Sequence, residues 1–350
     1  MDKVRICVVG MGIGRSNGRA LAANPRSSVT ALCDLLQDRM EAFASELPEP
    51  VKFYTDYKLM CQDPDIDAVM VGTPNQWHVP IALEAVRNGK HVLVTKPLAD
   101  SEDAARTLVE AAEAAGVVNM MSLSMRFSDP VQYLGGLARQ GFFGELYYAH
   151  SRSVRRIGIP GANKGGVHFI QKGGGAFRDM GVHFLDSVWW LLGRPKPVSV
   201  LGVAGAKFGP RGQGYWMVEH QPPASYYSQY AADDYGGGFI RFDNGVGLHI
   251  ESFWASHHED MGQIELFGTE AGAKLRPLTL HQTLNEQPVD IPVELPQKPS
   301  TSWDTLAGHF VDCVLDGIPC QSPLRDGLEV QRMMEALLLS AELGKEVRLD

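Results

Sequence analysis

Val4-Arg5-Ile6-Cys7-Val8-Val9-Gly10-Met11-Gly12-Ile13-Gly14 decides the fold: an apolar run, then a glycine at every second position, then a helix-forming stretch from Asn17 to Ala23. The run reads as a buried strand. Gly10, Gly12 and Gly14 let the chain turn tightly and come close to a pyrophosphate, which then rests on the first amides of the helix. A regular G-x-G-x-x-G pattern would place its last glycine at position 15, where Arg15 stands. Asp34 closes the next apolar run, Val29 to Cys33, 24 positions after Gly10. A carboxylate there accepts hydrogen bonds from an adenosine ribose diol and repels a 2′-phosphate, so NAD(H) is expected rather than NADP(H). A purely structural strand-turn-helix is the competing reading.

The alternation continues outward from this unit. Ala68 to Val71, His91 to Val94 and Val117 to Met121 read as strands, with helical patterns at Pro80 to Asn88 and Ser101 to Ala115. The second helix opens on Ser101 and closes at Gly116, a cap residue at each end. Repeated β and α units of this length imply a parallel sheet covered on both faces. A linker is expected at Phe127-Ser128-Asp129-Pro130, and beyond it the pattern changes. Glu145 to Arg155, Val198 to Val203, Gly238 to Phe242, Val246 to Phe253, Gln263 to Phe267 and Lys274 to His281 read as strands, with a tight hairpin at Asp243-Asn244-Gly245. One helix, Ala176 to Leu192, interrupts them. A Pro-rich, poorly structured stretch at Pro288 to Pro299 precedes two closing helices, Trp303 to Leu315 and Leu324 to Leu343. The expected division is therefore an α/β domain over residues 1–125 and an α+β domain over 126–350, whose last helix is free to pack back on the first.

A chain of 350 residues suits about two domains of roughly 150 residues each. With 44% apolar and 21% charged residues it is not a disordered chain. A net charge of −9 argues against a nucleic-acid surface, which needs a basic field. No apolar run approaches the roughly 18 residues of a membrane span. The five cysteines are scattered without a C-x-x-C pair, so neither a disulfide framework nor a zinc site is indicated, and most are expected as small core residues. Ala20-Leu21-Ala22 has the form of a signal-peptidase site, but glycines and Arg15 break the stretch before it. A reducing cytoplasm is the expected compartment.

Three further segments carry chemistry. Gly72-Thr73-Pro74-Asn75-Gln76-Trp77-His78 lies just past a strand, on the rim where open α/β sheets bind ligands. Thr73 and Asn75 suit contact with a ribose or carboxamide, or the segment is a polar turn that caps the next helix. Thr95-Lys96-Pro97 ends another strand. An ammonium there would stabilise charge developing on a substrate oxygen, whereas an isolated Lys-Pro is more often a surface turn. In Gly173-Gly174-Gly175-Ala176-Phe177-Arg178-Asp179-Met180-Gly181-Val182-His183, Asp179 and His183 stand four apart on one helix face, with Asp186 three further on. A histidine tuned by a carboxylate suits proton transfer near neutral pH, and a buried structural Asp-His pair is the alternative. The triple glycine is expected to let a ligand come close.

Other segments point less sharply. Gly158 to Lys172, dotted with Lys164, His168, Gln171 and Lys172, reads as a mobile loop over substrate or as a plain surface loop. Tyr215, Trp216, Tyr226, Tyr227 and Tyr230 suit sugar stacking or burial at a subunit interface. His257-His258-Glu259-Asp260 reads as a solvated turn rather than a metal site.

The ordered set of glycine-rich turn, Asp34, Gly72-Thr73-Pro74-Asn75, Lys96-Pro97 and the Gly-Gly-Gly segment with Asp179 and His183 resembles the Gfo/Idh/MocA oxidoreductase family, which includes inositol and glucose-fructose dehydrogenases. Phe242-Asp243-Asn244-Gly245 and Ile264-Glu265-Leu266-Phe267-Gly268-Thr269-Glu270-Ala271-Gly272 extend the resemblance over nearly the whole chain. It implies a Rossmann domain, doubly wound and parallel, followed by an α+β domain. The large, mainly antiparallel open sheet of that second domain would mediate homodimer or homotetramer formation. It makes Lys96 a contact to substrate and cofactor, Asp179 the active-site carboxylate, His183 the acid/base group, and Asn75 and His78 cofactor-side residues. Thr95 stands where the family has a glutamate, and Met125 where its linker often has arginine.

Taken together, cofactor contacts are expected at Gly10, Gly12, Ile13, Gly14, Asp34, Thr73, Asn75, His78 and Lys96, and substrate contacts at Lys96, Arg126, Arg156, His168, Asp179 and His183; no metal is expected. The expected function is hydride transfer between nicotinamide and a secondary hydroxyl of a sugar, glycoside or cyclitol. A glycosidase or epimerase that retains NAD and oxidises its sugar only transiently is the alternative. A ligand-sensing regulator is the third reading, against which Lys96, Asp179 and His183 weigh.

Overall fold

A computed structural model describes residues 3–161, 167–216 and 222–349. The chain forms two compact units, residues 1–128 with 298–331 and residues 129–297 with 332–350. No helix among the described residues is long and apolar enough to cross a membrane.

In the first unit, β1 (Val4–Val9), β2 (Ser27–Cys33), β3 (Lys52–Tyr54), β4 (Ala68–Val71), β5 (His91–Thr95) and β6 (Asn119–Ser122) build one sheet in the order β3-β2-β1-β4-β5-β6. Every pairing is parallel. The crossovers carry α1 (Gly14–Ala23), α2 (Gln37–Ala44), α3 (Tyr57–Cys61), α4 (His78–Arg87) and α5 (Glu102–Ala115). Strand order reverses between β1 and β4, so their C-terminal ends border the crevice where such sheets take ligands. Val8, Met70 and Val71 are fully buried, as a sheet covered on both faces requires. Each such aliphatic side chain contributes about 1.5–3 kcal/mol. The Ser101 hydroxyl accepts the Ala104 N–H at 3.3 Å, and Gly116 ends α5 at φ 64°. β3 escapes a sequence reading because none of its three residues is buried.

The second unit opens with α6 (Asp129–Arg139), β7 (Leu146–Val154) and β8 (Ile159–Pro160). It continues through α7 (Val182–Leu191), β9 (Pro197–Gly205), β10 (Tyr215–Trp216), α8 (Ala224–Tyr227), β11 (Tyr235–Phe242), β12 (Gly247–Phe253), β13 (Met261–Gly268), β14 (Gly272–Lys274), β15 (Thr279–Leu284) and β16 (Gln287–Pro292). The chain closes with α9 (Ser302–Asp316), α10 (Leu324–Leu343) and β17 (Val347–Arg348). α9 and the first turns of α10 belong to the first unit. Nine strands form a sheet in the order β16-β15-β14-β13-β7-β12-β11-β9-β17, antiparallel everywhere except between β7 and β12. β8 and β10 make a small parallel pair of their own.

Three expectations need correction. Pro288 to Pro292 is not unstructured: it lies in β16, an edge strand, where a proline's missing N–H interrupts no inner ladder. Lys274 to His281 is two strands separated by a turn at Arg276-Pro277. Ala176 to Leu192 is not one α-helix, because Phe177–Gly181 form a π-helical turn before α7 begins. Such turns recur at functional sites. Ser252 on β12 holds this turn to the sheet through its hydroxyl, which donates to the Ala176 carbonyl at 3.0 Å.

Candidate functional site

In the first unit, Gly10 leaves β1 at φ +86°, a conformation a side chain resists. A Cβ at Gly10 would stand 2.6 Å from the Gly72 carbonyl oxygen, and one at Gly72 would stand 2.6 Å from the Gly14 backbone. The turns after β1 and β4 are thus packed backbone against backbone. Gly14 and Gly18 supply the close helix packing that a glycine at position 15 would have given; a Cβ at Gly18 would lie 2.7 Å from the Phe43 ring. Arg15 pairs with Glu46, which also binds Arg19 at 2.7 Å.

Around Gly12 the space is open, with nothing within 4 Å of a Cβ position. Asp34 accepts the Met11 N–H at 2.7 Å on one oxygen and the Leu36 N–H at 3.0 Å on the other. A carboxylate has about four acceptor sites, so capacity remains for a ribose diol. Thr73 Oγ1 is buried without a hydrogen-bond partner among the described residues. Half-buried Asn75 opens a single 3₁₀ turn, Asn75–Trp77. The first turn of α1 holds no acidic residue, which leaves its positive end available to an anion. The open space at Gly12, the unpartnered Thr73 hydroxyl and the spare capacity of Asp34 fit a dinucleotide, which Gly10, Ile13, Gly14 and Asn75 beside them would help to hold.

His78 has another role than the cofactor contact expected of it. It is 1% exposed, with Nδ1 at 2.7 Å from the Pro97 carbonyl oxygen and Nε2 at 2.7 Å from that of Thr73. The ring is wedged between the turn after β4 and the turn after β5; burial holds its pKa below the ordinary histidine value against the pull of both carbonyls, and the neutral ring donates its single N–H to one of them. Thr95 Oγ1 donates to the Val71 carbonyl at 3.1 Å and lies 3.2 Å from His78 Nε2, so this position adds a knot between strands rather than a charge. Lys96 follows, half-buried, joined to Pro97 by a cis peptide bond. Arg126 is likewise not the substrate contact expected. Fully buried, it pairs with Asp326 at 2.6 Å and donates to the Gln321 carbonyl. Removing one partner from such a pair costs about 3–5 kcal/mol.

In the second unit, Asp179 lies in the π-helical turn and His183 near the start of α7. Both are half-buried. The indole N–H of Trp254, fully buried just past β12, donates to Asp179 Oδ2 at 3.2 Å. His168 stacks on Phe169 with ring centroids 4.4 Å apart. Local burial lowers its pKa, and the Asp179 charge opposes that shift. Asp179 thus has an indole donor and a nearby imidazole. Arg156 is exposed and uses its backbone N–H on Asp260 at 2.7 Å.

Two of the three glycines expected to let a ligand come close are instead filled from within the chain. A Cβ at Gly174 would stand 2.0 Å from the Phe169 carbonyl oxygen, and one at Gly175 2.0 Å from the Asp233 carboxylate. Both are required for internal packing, while Gly173 faces open space. Asp233, which the sequence reading missed, accepts the Phe177 N–H at 3.0 Å and so caps the turn that carries Asp179. Burial pushes its pKa up.

Within one chain, most of the aromatic stretch is internal packing. Tyr215 and Tyr226 sit in a core cluster with Ile159, Ile170, Met180 and Trp254, packed by Tyr227 and Tyr230, while Trp216 is 43% exposed. The loop expected over the substrate is anchored by buried Ile159 and Ile170; its Lys164 falls outside the described residues. The segment from His257 to Asp260 is an exposed turn. Cys313 and Cys320, far from a C-x-x-C spacing, lie together beside His309.

Residues 4–123 match the family described as "Oxidoreductase family, NAD-binding Rossmann fold", and residues 131–274 match the "GFO/IDH/MocA C-terminal domain". The chain is 27% identical to D-glucoside 3-dehydrogenase of Escherichia coli (strain K12), over 99% of its own length and 97% of the relative's. It is 27% identical to the scyllo-inositol 2-dehydrogenase (NAD(+)) of Bacillus subtilis (strain 168), with the same two coverages. Among solved structures, levoglucosan dehydrogenase in complex with NADH and levoglucosan shares the fold at a TM-score of 0.84, with 19% identity and 99% of each chain covered. The chain belongs to the Gfo/Idh/MocA family of NAD-binding oxidoreductases.

Proposed function

We propose that this protein is an NAD(H)-dependent dehydrogenase acting on a secondary ring hydroxyl of a glycoside, sugar or cyclitol. The observation that carries the reading is the full-length likeness to a glucoside and an inositol dehydrogenase, whose substrates both present such a hydroxyl. Bound NAD supplies the acceptor for the carbinol hydride. His183 takes the hydroxyl proton, and Lys96 donates to the same oxygen as charge gathers on it. Asp179, fixed by Trp254, orients His183 or a neighbouring substrate hydroxyl. His168 and Arg156 contact the outer hydroxyls. The Asp34 carboxylate favours NAD(H) over NADP(H). Exposed Leu201 and Val203, two apart on β9, support association into dimers or tetramers.

A panel of sugars, glycosides and inositols with NAD+ or NADP+, followed by NADH absorbance and product mass together, tests this reading. The expected result is NADH formed in step with a keto product, with NAD+ preferred. Product without accumulating NADH would replace it with a transient-oxidation enzyme. Binding of a sugar without turnover would replace it with a sensor.

A further inference from the structure

The chain holds a thiol pair that the dehydrogenase chemistry does not use. α9 sets His309 and Cys313 one turn apart on its buried face, then ends at Gly317 in a left-handed cap. The chain turns there and brings Cys320 back. One nitrogen of His309 and the two sulfurs all lie within 4.8 Å of one another, with Cys313 Sγ 3.4 Å from His309 Nε2.

Two features decide what this cluster does. His309 Nε2 accepts the Gln321 N–H at 2.8 Å, which occupies its single in-plane lone pair and removes that atom as a metal ligand. The reactive groups left are the two sulfurs. They are also unlike each other: Cys313 is 2% exposed, whereas Cys320 is half-buried at the edge of the hydrophobic core. Hydrogen bonds from Cys313 and the Ser322 amide lower the Cys320 thiol against the opposing effect of burial, while Cys313 is pushed up by its bond to Cys320 and by burial. Two sulfurs this close, the outer one acidified and the inner one not, form a nucleophile with its resolving partner in place. The other buried thiols contrast with it: burial raises Cys33 and Cys61 to about 12.

We propose that Cys320 and Cys313 are a peroxide-reactive pair that closes into a reversible disulfide within one chain. The Cys320 thiolate attacks one oxygen of a hydroperoxide, so that an S–O bond forms, the O–O bond breaks and the alkoxide or hydroxide released takes a proton. Sulfur is oxidised to sulfenic acid and the peroxide is reduced to alcohol or water. Cys313 then attacks that sulfur. The S–S bond forms, the S–O bond breaks, and the departing hydroxide leaves as water with the Cys313 proton. The residues beside Cys320 are a strap along β6: Ser322 accepts the Met121 N–H at 2.8 Å and donates through its hydroxyl to the Met121 carbonyl at 3.0 Å, and Gln321 receives Arg126. The disulfide ties the end of α9 to this strap.

The test uses the full-length protein, reduced, desalted and treated with one equivalent of hydrogen peroxide, followed by thiol counting after denaturation and by peptide mapping. Titratable thiols should fall from the five in the sequence to three, with a Cys313–Cys320 cross-linked peptide that dithiothreitol removes. In a Cys313→Ser variant, Cys320 should be captured as a sulfenic acid by dimedone; in Cys320→Ser, no fast thiol loss should occur. The peptide map of the unmodified protein keeps the test decisive if either variant fails to fold. Five thiols remaining, a bridge to another cysteine or another chain, or direct passage of Cys320 to sulfinic acid would overturn the proposal. So would a stoichiometric zinc ion in the purified protein that shields both thiols until a chelator is added.

Discussion

Trp254→Phe isolates a single bond at the proposed active-site carboxylate, Asp179. The indole is fully buried and gives its N–H to Asp179 Oδ2 at 3.2 Å. Phenylalanine keeps most of the apolar burial and deletes the donor. A hydrogen bond to a charged group is worth about 1.5–3 kcal/mol, and the 3.2 Å length places this one at the low end. If Trp254 positions the carboxylate for the reaction, about 1.5 kcal/mol appears in the barrier, which is roughly tenfold in kcat. The smaller ring also leaves a gap, so stability falls by about 1–3 kcal/mol, measured separately by urea unfolding. The assay is steady-state turnover on the best substrate of the panel, beside a fluorescence titration with NADH. The expected pattern is a tenfold lower kcat with NADH affinity unchanged, because the proposed cradle residues Gly10 to Asp34 and Thr73 to Asn75 are untouched. A folded variant whose kcat stays within twofold of the parent would refute the reasoning. So would one that loses NADH affinity in the same proportion as kcat.

Gly10→Ala places a Cβ 2.6 Å from the Gly72 carbonyl oxygen at positive φ, so thermal unfolding should show a loss above about 2 kcal/mol; Gly12→Ala, with open space around it, should keep its stability and weaken NADH binding instead. Equal stability losses in the two variants would contradict the packing described. For His78, burial lowers the folded pKa below that of the unfolded chain. Stability is therefore full when the ring is neutral and declines as pH falls below about 6.5, where the unfolded chain binds the extra proton. Urea unfolding between pH 7.5 and 5 should show a shallower decline in His78→Gln than in the parent, and an unchanged slope would remove His78 from that dependence.

What the sequence made legible was local. β1 and β4 are uninterrupted apolar runs, α5 carries a serine cap and a glycine stop, and Asp243-Asn244-Gly245 forms the turn between β11 and β12 with Gly245 at φ +87°. Asp34 was legible for the same reason, as the residue that ends β2 at a fixed distance from the glycine turn. The parts that escaped are long-range. Trp254 meets Asp179 across 75 positions and Asp233 caps Phe177 across 56, and no spacing rule connects such pairs. Gly174 and Gly175 look like room for a ligand, yet the space is filled by Phe169 and Asp233 from elsewhere in the chain. His78 and Arg126 carry the residue types of binding groups, and only burial and their partners show that they hold the scaffold together. The π-helical turn at Phe177–Gly181 leaves no mark in the periodicity, because it extends an α-helical pattern by a fraction of a turn.

The most direct measurement is the rate of NADH formation in the first turnover, at saturating NAD+ and substrate, for the parent and for Lys96→Met. Loss of an ammonium that stabilises the developing oxyanion should slow that step about 10²–10³-fold while the protein still folds and binds NADH. A Lys96→Met protein that forms NADH in the first turnover as fast as the parent would contradict the account.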